Sequence, residues 1–95
     1  MAGMSELIPA AVRISDAALY QKIEDEVVIL NMENQHYYGL DDVGASMWRA
    51  LLQHGSLESA AASMEEYYDV DPSVLRRDLD ALVRALIAEG LLQSA

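Results

Sequence analysis

Apolar positions alternate with polar ones over the first third of the chain and recur every three to four residues over the rest. Leu19, Gln21 and Ile23 alternate with Tyr20 and Lys22, the pattern of a half-buried edge strand. Glu24-Asp25-Glu26 is a polar break. Val27-Val28-Ile29-Leu30 is a continuous, mostly β-branched run, expected of a strand covered on both faces. Glu33-Asn34 falls where a hairpin turn belongs, and Asn tolerates the positive φ such turns need. His36 to Leu40 then returns as the last strand. Before these strands, Val12 to Ile14 reads either as a short strand or as part of an arm. Residues 1–11 are rich in small side chains and contain Pro9, so they read as a flexible N-terminal arm, leaving 12–95 as the folded domain.

The second half is helical. Asp41 or Asp42 caps a helix that buries Val43, Met47 and Leu51, with Trp48 a further candidate. Gly55, after His54, ends it. Ser56 caps a second helix with Leu57, Ala60, Ala61 and Met64 on one face. Asp71-Pro72 starts a third, with an Asp cap and Pro at the first helical position. Leu75, Leu79, Leu82 and Leu86 form its core stripe, Gly90 ends it, and Leu91-Leu92 folds back as an apolar tail. The predicted fold class is α+β: a winged helix-turn-helix-like domain with a three-stranded antiparallel sheet followed by three helices.

Composition narrows the function. Ninety-five residues make one domain. Sixteen acidic residues against six basic give a net charge of −10, which opposes nucleic acid and anionic membranes and suits either plain solubility or a basic partner. No stretch approaches the roughly 20 apolar residues of a membrane span, and Met1 to Pro9 lacks the marks of a signal peptide. The chain has no Cys, which removes thiol nucleophiles, disulfides and Cys-based zinc sites and fits the cytoplasm.

Catalytic chemistry finds no foothold. His36 and His54 stand in different elements without metal-ligand spacing, and His54 is placed to meet a helix dipole. The serines sit in no nucleophile motif, and Gly39 and Gly44 form no phosphate loop. Glu24/Glu26 and Glu65/Glu66 read as solvated faces. Neither an enzyme, a metal site nor a cofactor is expected.

Two binding readings remain. A winged-helix DNA-binding transcriptional regulator shares the fold class, and the third helix holds Arg76, Arg77 and Arg84, half of the six basic residues. The same region holds Asp71, Asp78, Asp80 and Glu89, so its local charge is about neutral where a recognition helix should be positive. The alternative is peptide binding. With the Val27–Leu30 strand central, His36–Leu40 lies at an edge, and an edge offers its free N–H and C=O groups to an incoming strand. Alternation puts His36, Tyr38 and Leu40 on one face and Gln35, Tyr37 and Gly39 on the other. On the third helix, Arg76, Asp80, Val83 and Ile87 lie one step around from the leucine stripe, and Arg76 and Asp80 are spaced to pair with each other. Val83 and Ile87 could equally widen the core stripe.

The run Gln35-His36-Tyr37-Tyr38-Gly39-Leu40-Asp41-Asp42-Val43-Gly44-Ala45-Ser46-Met47-Trp48 resembles the strand-to-first-helix junction of PqqD-like proteins. These small domains, also called RiPP recognition elements, hold the leader segment of a ribosomally made precursor peptide. The wording of the run is most similar to the stand-alone versions found with lasso peptides. The resemblance covers about residues 12–92. It implies a leader peptide added as an antiparallel strand beside the third strand and packed against the third helix. Carried onto this sequence, the groove comprises Gln35, His36, Tyr37, Tyr38, Gly39 and Leu40 with Val74, Arg76, Arg77, Asp80, Val83 and Ile87. The resemblance further implies no catalytic residues and, as a second partner, a separate cysteine peptidase that removes the leader.

Overall fold

The chain runs β1 (Val12–Ile14), β2 (Ala18–Ile23), β3 (Glu26–Asn31), β4 (Tyr37–Leu40), α1 (Asp42–His54), α2 (Leu57–Tyr67), α3 (Pro72–Ala88) and β5 (Leu92–Ser94) in the computed structural model, which describes residues 8–95. β2, β3 and β4 form an antiparallel sheet with β3 in the middle, and the three helices follow it, as the sequence predicts. β1 pairs with β5, Val12 opposite Ser94 and Ile14 opposite Leu92. Val12–Ile14 is thus a strand, and the apolar tail leads into its partner. Most of the expected N-terminal arm, residues 1–7, lies outside the described residues; of the remainder, Ile8 rests half-buried against the core.

Local chemistry accounts for the element ends. The β2–β3 turn places Glu24 at φ 57°. In the β3–β4 turn the positive φ expected of Asn34 falls instead on Gln35, at 61°. Asn34 serves through its side chain, whose Oδ1 accepts the His36 N–H at 2.9 Å. Asp41 is the α1 cap, accepting the Gly44 N–H at 2.8 Å, and Ser56 caps α2 through the Ser59 N–H at 3.1 Å. Asp71 caps α3 by accepting the Ser73 hydroxyl at 2.7 Å and the Ser73 N–H at 2.8 Å. These two bonds hold the Asp71 carboxyl below its ordinary range, the hydroxyl bond contributing most. The cap therefore acts fully above the usual carboxylate pKa and is lost as pH falls through the lowered one.

α3 stops through a pair of reversed hydrogen bonds, Gly90 N–H to the Ile87 carbonyl at 3.0 Å and Leu91 N–H to the Leu86 carbonyl at 2.8 Å, with Gly90 left-handed at φ 73°. Gly55 ends α1 at φ 75°. Alanine at either position is expected to cost about 1–2 kcal/mol for the left-handed backbone. A Cβ at Gly90 would also meet Asn31 Nδ2 at 2.9 Å, whereas one at Gly55 meets nothing within 4 Å. Urea denaturation should therefore rank Gly90→Ala below Gly55→Ala; equal losses would mean that Asn31 yields freely.

One core joins sheet and helices. Val27 and Ile29 of β3, Leu40 of β4, Trp48 and Leu51 of α1, and Leu79 and Leu86 of α3 are buried in it. Tyr20 meets Trp48 edge-on, ring centroids 5.5 Å apart. Two expectations fail here. Val43 is 54% exposed instead of buried, standing at an open pocket that it shares with Val74 and Asp78 of α3. And β3 is covered on one face only among the described residues. Val28 and Leu30 look outward with Leu19, Ile23 and Tyr37, lining an open cleft of about 540 Å³.

Candidate functional site

The hydrogen-bond phase of the sheet decides what β4 offers. Asn31 stands opposite His36 and donates its N–H to the His36 carbonyl at 2.8 Å, so this is a bonded pair. Bonded and non-bonded pairs alternate along an antiparallel ladder. Tyr38 and Leu40, opposite Ile29 and Val27, therefore turn their backbone groups to β3. Tyr37 and Gly39 turn theirs outward, and among the described residues no strand pairs with β4 on that side. The free edge thus presents two N–H and C=O sets, spaced two residues apart.

The predicted edge residues divide by role. Gln35 and His36 belong to the turn rather than the strand. Tyr37 is 76% exposed on the outer sheet face, with Gly39 beside it. Tyr38 is half-buried on the inner face, and Leu40 is buried there. Alternation had placed Tyr37, Tyr38 and Leu40 on the faces they occupy.

The flank of α3 beside β4 is not the expected one. Two contacts fix its orientation. The Asn31 side chain, at the end of β3, donates to the Glu89 carbonyl at 3.0 Å. At the other end, Val74 and Asp78 line a pocket with Val43, three residues beyond the end of β4. Val74, Asp78, Leu82, Ala85 and Glu89 follow one another at helical spacing, so this flank is turned toward β4. Arg76, Asp80 and Ile87 lie on the opposite flank. Arg76 pairs with Glu58 of α2, whose carboxylate raises the guanidinium pKa further. Asp80 accepts from Arg84 Nε at 2.9 Å and borders a hollow with Ile8, Pro9 and Leu57. The expected Arg76–Asp80 pair is therefore not formed. Val83 is wholly buried and belongs to the core, while Leu82 from the expected stripe is only half-buried. Arg77 points to solvent, its guanidinium 3.7 Å from Asp78. Of the predicted helix residues, Val74 alone lies on the flank that carries Asp78 and runs on to Glu89.

Asn31 is the residue sequence reasoning missed. It is 6% exposed, yet each of its side-chain atoms is used. Its amide holds Glu89, and its Oδ1 accepts the Glu33 N–H at 2.9 Å and the Asn34 N–H at 3.4 Å. One side chain thus ties the β3–β4 turn to the end of α3. The only signal in the sequence is an Asn that closes an apolar run.

The groove holds a bare strand edge, apolar side chains and carboxylates. An edge of this kind can take main-chain hydrogen bonds from an extended chain, with selectivity left to the side chains beside it.

Residues 26–92 match the family model for coenzyme PQQ synthesis protein D (PqqD). Two solved structures share the fold. TbiB1, solved in complex with the TbiA(beta) leader peptide, is 36% identical with a TM-score of 0.80, over 87% of this chain and 96% of that one. A lasso peptide synthetase B1 complexed with the leader peptide is 25% identical with a TM-score of 0.78, over 88% of this chain and 99% of that one. No curated protein sequence matches.

Proposed function

The chain belongs to the PqqD family, and from that premise we propose that it binds the leader segment of a ribosomally made precursor, of the lasso peptide kind, by strand addition to β4. The observation that carries this reading is the free β4 edge beside α3, in a chain whose relatives at 36% and 25% identity are solved with leader peptides bound. Tyr37 and Gly39 supply the main-chain contacts, Tyr38 and Val74 apolar walls, and Asp78 a charge. The protein acts without catalysis of its own, in the cytoplasm where the precursor is made. It hands the bound precursor to a separate cysteine peptidase; this chain has no Cys to act as that nucleophile.

The test is a backbone amide titration of the isotopically labelled chain with the leader of a short precursor encoded beside its gene. Shifts should concentrate in Tyr37–Leu40 and in Val74 and Asp78. Shifts confined to α2 would sink strand addition.

The regulator reading receives no support from the relatives. The arginines of α3 are engaged by acids, Arg76 by Glu58 and Arg84 by Asp80. At a net charge of −10, negligible binding to random duplex DNA is expected at physiological salt. Micromolar binding with a steep salt slope, read by fluorescence titration, would revive it.

A further inference from the structure

Among the described residues, a single hydrogen bond joins the β2–β3–β4 sheet to α3: the Asn31 amide donates to the Glu89 carbonyl at 3.0 Å. The core around it is apolar, with Val27 and Ile29 from β3 and Leu79, Val83 and Leu86 from α3. Apolar burial is non-directional, so it brings helix and sheet together without fixing how one lies on the other. A hydrogen bond sets one donor against one acceptor. Both ends of this one are made for it. Glu89 caps the end of α3, where carbonyls have no partner inside the helix. Gly90 leaves the room, since a Cβ there would stand 2.9 Å from Asn31 Nδ2. On the sheet side, Asn31 Oδ1 accepts the Glu33 and Asn34 N–H groups, and the Asn31 backbone bonds His36, one residue before β4.

The tie lies at a place of high leverage. β4 is held by β3 on one side only, and its other side is the free edge. Val74 stands at the far end of α3 from Glu89, about 22 Å away at 1.5 Å of rise per residue. A tilt of α3 by about 5° around the tied end displaces Val74 by about 2 Å, more than half of one strand step.

We propose that Asn31 is a positioning residue for peptide binding: buried and with its side-chain atoms already bonded within the protein, it touches no peptide, and it holds β4 and α3 in the relative placement that a bound chain requires. A peptide then meets a site that is already ordered, instead of ordering it on arrival. The proposal rests on the peptide-binding reading above.

Asn31→Asp tests it at neutral pH. A carboxylate keeps the acceptor for the turn N–H groups and loses the donor to Glu89. Calorimetric titration with the leader peptide named above, well below the melting temperature, should show binding weaker by about tenfold or more. Once the peptide is saturating, the amide shifts of Tyr37–Leu40 should match those of the unaltered complex, because the contacts are the same after the site is ordered. Asn34→Ala removes the neighbouring side-chain bond to the His36 N–H and leaves Glu89 alone, so its affinity should stay within about twofold. Gly90→Ala attacks the same tie from the helix side and decides the matter even if Asn31→Asp does not fold. It should weaken binding, and in the double variant the two losses should not add, since either one opens the tie. Gly55→Ala carries the same left-handed strain at the end of α1 with nothing within 4 Å of the new Cβ, and should bind like the unaltered protein. Lower melting temperatures for Asn31→Asp and Gly90→Ala with unchanged affinity would overturn the positioning role and leave strand addition standing. Altered shifts of Tyr37–Leu40 in the saturated Asn31→Asp complex would also overturn it, by showing that β4 itself is remade. No binding of the leader by the unaltered chain would overturn both readings.

Discussion

Gly39→Pro is expected to weaken leader binding by about 10- to 100-fold while leaving the fold in place. The N–H of Gly39 points to the free edge, so proline there removes no bond to β3, and an edge position of this kind is where a strand accepts proline. The incoming peptide loses a donor, and its own carbonyl is left facing the pyrrolidine ring. An unmade hydrogen bond with a stranded partner costs about 1–3 kcal/mol, which is the stated range in affinity. Lys22→Pro is the matched control. Lys22 pairs with Val27 in the same phase, so its N–H points out of the sheet's other edge. Both variants should show similar losses in a thermal melt, and Lys22→Pro should titrate like the unaltered protein. Equal loss of affinity in both would mean that the sheet is disturbed as a whole and that β4 is not the docking edge.

The largest effect on stability is expected at Trp48. It is fully buried, and it closes the space between the inner sheet face and α1, with Tyr20 edge-on against it. Trp48→Ala should cost about 3–5 kcal/mol through lost burial and the cavity left behind. A domain of 95 residues has roughly 0.05–0.15 kcal/mol of stability per residue, so this is about a fifth of the total or more. Trp48→Phe should cost far less. The indole N–H has no hydrogen-bond partner among the described residues, so phenylalanine gives up only volume. Urea denaturation of both variants checks this. A similar midpoint for the two would show that the core closes around the gap, and that Trp48 is not its keystone.

Much of the fold could be read from residues that act locally. Asp41, Gly55, Ser56, Asp71, Pro72 and Gly90 each mark a helix end by their own hydrogen-bonding or backbone chemistry, and each does so where the sequence suggests. The edge position of β4 follows from a central apolar strand. Sidedness was the part that sequence could not carry. On α3 two flanks lie equally far from the leucine stripe, and nothing in the spacing of Arg76, Asp80 and Ile87 says which flank meets the sheet. The crossing of α3 over the sheet decides it, through Asn31 and Glu89, which are 58 residues apart. Val83 is buried for the same reason: the core-facing stripe is rotated by one position, so Val83 enters as Leu82 turns partly out. The open outer face of β3 was hidden because a continuous apolar run looks the same whether its second face meets a helix or water.

That open face has a price in colloidal behaviour. Leu19, Ile23, Leu30 and Tyr37 form an apolar surface bounded by the unpaired edges of β2 and β4, which is the template for edge-to-edge growth of sheets. What keeps molecules apart at neutral pH is their net charge of −10. Carboxylates lose their charge near about pH 4. With sixteen acidic residues against six basic, the repulsion then falls through zero while the edges stay bare. Light scattering should rise steeply as the pH is lowered to about 4, and a peptide already seated on β4 should delay it by covering one of the two edges.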